Sequence, residues 1–282
     1  MASNHSTDSP ISVSGAGLGY RKELSNEFSL HSAEIDVVEI LADQWFGYDN
    51  PRRLREVADE FSTVLHGVGM SLAGAGRIPD DYLEEIRKVT DACGASYYSE
   101  HLAMTHVPGA DAGHLCPPVI SEEGLRACIR NVDRAQTALG VPLALENITY
   151  SFSLGADHVD AATFFTQLVA ATGCYMLLDV ANLYINSKNH SFDPLSYLDK
   201  LPTDRIVQVH LAGGVVTSTG QHIDSHSETI GDEIWRLAAD TAERCSPSAV
   251  IVERDDNFPD FEALIKEVAM ARDIFFPKAE RR

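Results

Sequence analysis

Eight short apolar runs, each ending in polar residues and each followed by a stretch whose apolar residues recur at three and four, constrain this chain most. The runs are ISVSGAGLGY (11–20), EIDVVEIL (34–41), STVLHGVGM (62–70), ASYYSEHLA (95–103), VPLALENI (141–148), CYMLLDVAN (174–182), RIVQVHLAG (205–213) and SAVIVERD (248–255). Helical patterns such as SEEGLRACIRNVDRAQTALG and DAATFFTQLVAATG lie between them. Ser121 and Asp160 read as helix starts, Gly140 and Gly173 as stops. Regular alternation of this kind predicts parallel strands joined by crossover helices. Eight units in 282 residues predict an α/β chain folded as a (β/α)8 TIM barrel, one domain over 11–282 behind a disordered N-terminus, 1–10. An open doubly wound sheet is the alternative. Its dinucleotide signature is missing, because Gly15, Gly17 and Gly19 are spaced GxGxG and lead into the polar RKELSNE.

Several function classes are excluded early. No apolar run approaches the roughly 20 residues that span a bilayer, and the polar start MASNHSTDSP lacks a signal-peptide core, so no membrane partner and a cytoplasmic location are expected. Five cysteines, odd in number and without a CxxC pair, suit reduced thiols. With 22 basic against 42 acidic residues, the net charge of −20 argues against nucleic acid as a partner.

In a barrel the C-terminal ends of all strands open into one mouth. The residues at those ends are His66, Glu100 with His101, Glu146 with Asn147, Asp179, His210 and Glu253. Asn182 lies just past the sixth strand, and Asp224 with His226 lies in GGVVTSTGQHIDSHSETI, read as a long loop after the seventh. A single strand-end histidine is ordinarily structural. A whole rim of imidazoles and carboxylates would repel itself unless a multivalent cation or shared protons offset the charge, and this donor set without thiolate suits Zn, Fe or Mn. Around it, Asn147, Asn189, His190 and Asp255 are candidates to support the ligands, with the tail from Asn189 to Asp193 as a lid. His106, His114 and His222 fall in mouth-side loops; His5, His31 and His158 read as surface residues.

The segments HGVGMSL, SEHLA, LENITY, LLDVANLY with NHSFDP, VHLAG, HIDSHSET and VERDDNFP resemble, in order and spacing, the multinuclear non-heme iron-dependent oxidative enzymes. That is the family of the methanobactin oxazolone/thioamide synthase and of the cysteine carbon-excision enzyme of 3-thiaglutamate biosynthesis. The resemblance spans nearly the whole barrel and implies a xylose-isomerase-like one holding two or three irons of mixed Fe(II)/Fe(III) state. Carried over by position, His66, His101 and Glu146 would hold one metal, and Glu146 would bridge to a second held by Asp179, His210 and Glu253. Asn182, Asp224 and His226 would hold a third, more loosely, since an amide oxygen is a weaker ligand than imidazole. One departure is Ala181 in DVANLY, where relatives carry asparagine.

The resemblance further implies dioxygen as co-substrate and oxidation at the β-carbon of a cysteine in a ribosomally made precursor peptide, by carbon excision or heterocycle formation. A separate small leader-binding partner protein is expected. Two other readings stand beside it. One is a divalent-metal hydrolase or isomerase of the endonuclease IV or sugar-isomerase type, opposed by the net charge, by Asn182 and by the absence of a strand-end lysine, Lys188 lying in the loop after strand six. The other is a non-catalytic metal-binding accessory protein.

Overall fold

The computed structural model describes residues 11–47, 52–107, 109–154 and 159–277. Residues 1–10, with His5, and also His158 lie outside the described residues. Among the described residues there are eleven strands: β1 (Gly15–Gly19), β2 (Val37–Leu41), β3 (Ser62–Gly67), β4 (Tyr98–His101), β5 (Met104–Val107), β6 (Ala110–Cys116), β7 (Leu143–Glu146), β8 (Tyr175–Asp179), β9 (Ile206–Val216), β10 (His222–Glu228) and β11 (Ala249–Glu253). All eight expected runs are among them. They close into a parallel ring, β1 to β2, β3, β4, β7, β8, β9, β11 and back to β1, with helices outside. This is the expected TIM barrel.

The helix boundaries follow the capping chemistry. Ser121 Oγ accepts from the Gly124 amide, and Asp160 Oδ1 from that of Thr163. Gly140 and Gly173 end their helices at φ 69° and 67°, where only glycine sits without strain.

The pleat explains where the chemistry goes. Successive side chains of a strand point to opposite faces, so residues two apart share the barrel interior. A lower interior layer is apolar and contains Val37, Val64, Ala144, Leu177 and Ile251. Two residues further along the same strands stand Glu39, His66, Glu146, Asp179 and Glu253, all buried. Registers align these ends across neighbours: His101 pairs with Glu146, and Asp179 with His210. The outer faces pack on the helices through Leu65, Leu143, Leu178, Leu211 and Val252.

Three expectations are corrected. The stretch read as a long loop after strand seven is ordered: β9, eleven residues long, runs on past its parallel partners to Val216, and β10 returns antiparallel to it. The polar tail read as a lid is divided between two helices: Asn189 and His190 end one, Val180–His190, started by Asp179, whose Oδ1 accepts from the Asn182 amide at 2.7 Å, and Asp193 caps the next, Pro194–Leu198. The helical period was hidden because this helix buries polar residues, Asn182 and Asn186, alongside Leu183 and Ile185. The two asparagines, one turn apart, hold the backbone of 147–150: Asn182 Nδ2 donates to Asn147 O at 3.1 Å and Asn186 Nδ2 to Ile148 O at 2.9 Å. A hairpin of β5 and β6 carries His106 and His114, both expected in loops.

Candidate metal centre

Four imidazoles define the site, and each is fixed through one ring nitrogen. Ser99 Oγ donates to Leu65 O, so it accepts from His66 Nδ1 (3.0 Å). His101 Nδ1 donates to Gly67 O at 3.0 Å, and His210 Nε2 to Glu39 Oε2 at 2.8 Å. His226 Nδ1 donates to Asp255 Oδ2 at 3.1 Å. In every ring the other nitrogen is thereby turned to carboxylates, the arrangement in which an outer partner sets the orientation of a metal-binding histidine.

Those nitrogens converge. His66 Nε2 and His101 Nε2 each lie 3.3 Å from Glu146 Oε2, while His210 Nδ1 lies 3.6 Å from Glu146 Oε1 and 3.0 Å from Glu253 Oε2. Donors of His66, His101 and Glu146 fall within 4.8 Å of one another, as do those of Glu146, Asp179, His210 and Glu253. Glu146 is common to both groups, one oxygen turned to each. Separations of this size are those between two ligands that each stand about 2.1 Å from one ion. The remaining trio is Asn182, Asp224 and His226, with His226 Nε2 at 2.7 Å from Asp224 Oδ1.

Unsatisfied atoms test whether a metal fits. Ten buried side-chain polar atoms lack a hydrogen-bond partner among the described residues, and six belong to the candidate ligands: Glu146 Oε2, Asp179 Oδ2, Asn182 Oδ1, His210 Nδ1, Asp224 Oδ1 and His226 Nε2. An unsatisfied buried polar atom costs about 1–3 kcal/mol, so six among the candidate ligands call for an occupant that coordinates them. A cation does that.

Electrostatics agree. Burial, then the nearby Glu146 and Asp224, push the Asp179 carboxyl well above its usual range, so it ionises only against added positive charge. Burial would lower His210, but the carboxylates of Glu253, Glu39 and Glu146 outweigh it and raise the imidazole well above normal. At His101, burial is likewise outweighed by Glu146 and Glu100, giving about 9. A group with its pKa raised to about 9 holds its proton at neutral pH and must release it before its nitrogen can take a metal. Loading the metal-free protein with Zn(II) at about pH 7 should therefore release protons, and apparent affinity should rise from about pH 7 toward 9. An indicator-dye titration checks this; a pH-independent affinity over that window would contradict it.

The supporting candidates divide. Asn147 clasps the Asp179 backbone, donating to its carbonyl and accepting from its amide, both at 2.9 Å. Asp255 holds His226 and is itself held by Arg21 Nε at 3.0 Å. Asn189 and His190 touch none of the nine: Asn189 binds the His222 backbone, while His190 Nε2 meets Tyr150 O at 2.7 Å and its ring stacks on Tyr150. Glu100 accepts from the Met70 and His101 amides, with Oε1 3.8 Å from His101 Nδ1, behind the ring rather than on its Glu146 side. Ala181 is fully buried behind the site.

Sequence reasoning missed Glu39. It is fully buried and accepts from both His210 Nε2 and Gln208 Nε2, at 2.8 and 2.5 Å, while Tyr97 OH donates to Gln208 Oε1 at 2.6 Å. A glutamate in the middle of VVEIL, in phase with Val37, was the available signal.

A sequence profile described as RiPP precursor modification enzyme MbnB/TglH/ChrH matches residues 15–275. The chain belongs to this family. As a family member it is an enzyme of ribosomally synthesised peptide (RiPP) precursors, and a peptide is its class of substrate. A UPF0276 protein of Caulobacter vibrioides is 35% identical over 267 residues, covering 92% of this chain and 93% of that one. Among solved structures, D-psicose 3-epimerase from Clostridium cellulolyticum, with D-tagatose, has a TM-score of 0.62 at 10% identity, covering 92% of this chain and 97% of that one. Endonuclease IV from Thermus thermophilus has 0.54 at 16%, covering 90% and 98%. Both likenesses establish the xylose-isomerase-like barrel of this MbnB/TglH/ChrH-family chain. No helix among its described residues is long and apolar enough to cross a membrane.

Proposed function

We propose that this enzyme oxidises a cysteine of a ribosomally made precursor peptide at its β-carbon, using two or three irons and dioxygen, with a separate leader-binding protein presenting the peptide. The observation that carries this reading is the pair of donor groups joined through Glu146, in a chain whose family modifies such precursors. His66, His101 and Glu146 would hold one iron; Glu146, Asp179, His210 and Glu253 a second; Asn182, Asp224 and His226 a third. Bound iron would supply the electrons for dioxygen and lower the pKa of a substrate thiol.

The protein's own contribution is orientation. The outer contacts of His66, His101, His210 and His226 fix which nitrogen faces the centre before any ion arrives. Asn147 and the cap at Asn182 hold Asp179 on its strand end. Burial of Glu146 and Asp179 keeps bulk water from competing for the donors. None of the candidate ligands is a cysteine, so the thiolate is left for the substrate to bring.

Protein made in iron-rich medium should carry at least two irons per chain and consume dioxygen when given a cysteine-bearing precursor peptide, and not its Cys→Ser form. Protein that holds zinc alone and leaves dioxygen untouched would favour a metal-dependent hydrolase or isomerase instead.

A further inference from the structure

A cavity of about 490 Å³ opens beside the metal centre, on the side of the mouth formed by β4, β7 and the 180–190 helix. Its walls include Leu102, Ile120, Ile148, Phe164, Phe165 and Tyr197, with Pro117 and Pro118 at the edge. Polar side chains also reach it, but those with assigned partners are turned to the protein. Asn147 bonds Asp179, Asn186 bonds Ile148 and Tyr150, His190 bonds Tyr150, and Asp160 caps its helix. What the cavity offers a ligand is therefore mostly carbon, in a volume typical of ligand sites.

Its position is defined by the candidate ligands. Leu102 follows His101, Asn147 and Ile148 follow Glu146, and Asn186 lies one helical turn after Asn182. Three elements that supply the centre thus continue directly into the cavity wall, and Asn147 borders both.

We infer that this cavity is a specificity subsite taking a large apolar side chain, aliphatic or aromatic, of the precursor peptide next to the residue being modified. The inference rests on the proposed cysteine chemistry for what lies at the centre. Its own content is the neighbour. A peptide crossing the mouth with its reactive residue over Glu146 has this apolar recess within one residue's reach. Burying a leucine or phenylalanine side chain there should tighten binding about tenfold or more over glycine.

The test uses the iron(II)-loaded protein without oxygen and three probes, acetyl-Xaa-Cys-Xaa-amide with Xaa glycine, leucine or phenylalanine, read by calorimetry. The symmetric probes cover both directions of approach. Wild type is expected to prefer leucine or phenylalanine over glycine about tenfold. Ala161→Phe and Ser153→Trp, which crowd the cavity from a half-buried and an exposed position, should abolish that preference while leaving iron content and the glycine probe unchanged. No preference in wild type, or an undiminished one in both variants, would overturn the subsite. Serine versions of the probes separate the two ideas: if they bind as tightly and keep the apolar preference, the cysteine reading fails and the subsite stands.

Discussion

Glu146→Ala is expected to strip the paired positions of metal, while Asn182→Ala keeps the pair and depletes only the third ion. Glu146 presents Oε2 to His66 and His101 and Oε1 to His210, so one truncation removes a donor from both groups. It also leaves three imidazoles without their central anion. Loss of a mere outer partner weakens metal binding by about 10–100-fold, and loss of a shared ligand should exceed that. Elemental analysis of protein from iron-rich medium reads the effect, with circular dichroism to verify the fold. Wild-type iron in the Glu146→Ala protein would break the bridging assignment. Loss of all iron in Asn182→Ala would break the distinction between the pair and the third position.

Glu39→Gln should weaken metal binding by about 10–100-fold without removing any ligand. Glu39 belongs to neither donor group; its Oε2 accepts from His210 Nε2 and so keeps Nδ1 turned to the centre. An amide there places a dipole where a full charge stood, beside Gln208, which already donates to the same oxygen. His210 then loses the charge that favours its donating tautomer. Chelator competition measures the affinity, and thermal denaturation of the metal-free protein reports separately on stability. Affinity within about twofold of wild type would refute an orienting role for Glu39.

How much of this was legible depends on the local signal each residue gave. The barrel was readable because apolar runs and helical periods alternate eight times, and because Ser121, Asp160, Gly140 and Gly173 mark helix ends by local chemistry. The rim positions were readable for residues that end a run, such as Asp179 and Glu253. Glu39 was not, since β2 continues for two apolar residues past it and no polar break marks it as a rim position. The 180–190 helix was hidden by its buried asparagines, whose partners are backbone atoms 35 and 38 residues away in sequence. Antiparallel β10 was hidden because HIDSHSE has few apolar residues and is half exposed, and its order comes from the extension of β9.

That extension also bears on how the centre is put together. Asp224 and His226 ride on β10, outside the closed ring, while Asn182 sits on the helix beside it. Two turns along that helix from Asn182, Asn189 grips the hairpin as a neighbouring strand would, its Nδ2 donating to His222 O at 2.8 Å and its Oδ1 accepting from His222 N at 3.0 Å. Ligand and latch are thus carried by one rod. The paired positions are built into the staves of the barrel, whereas the third is assembled like a clasp, whose two jaws are kept in step by a single asparagine.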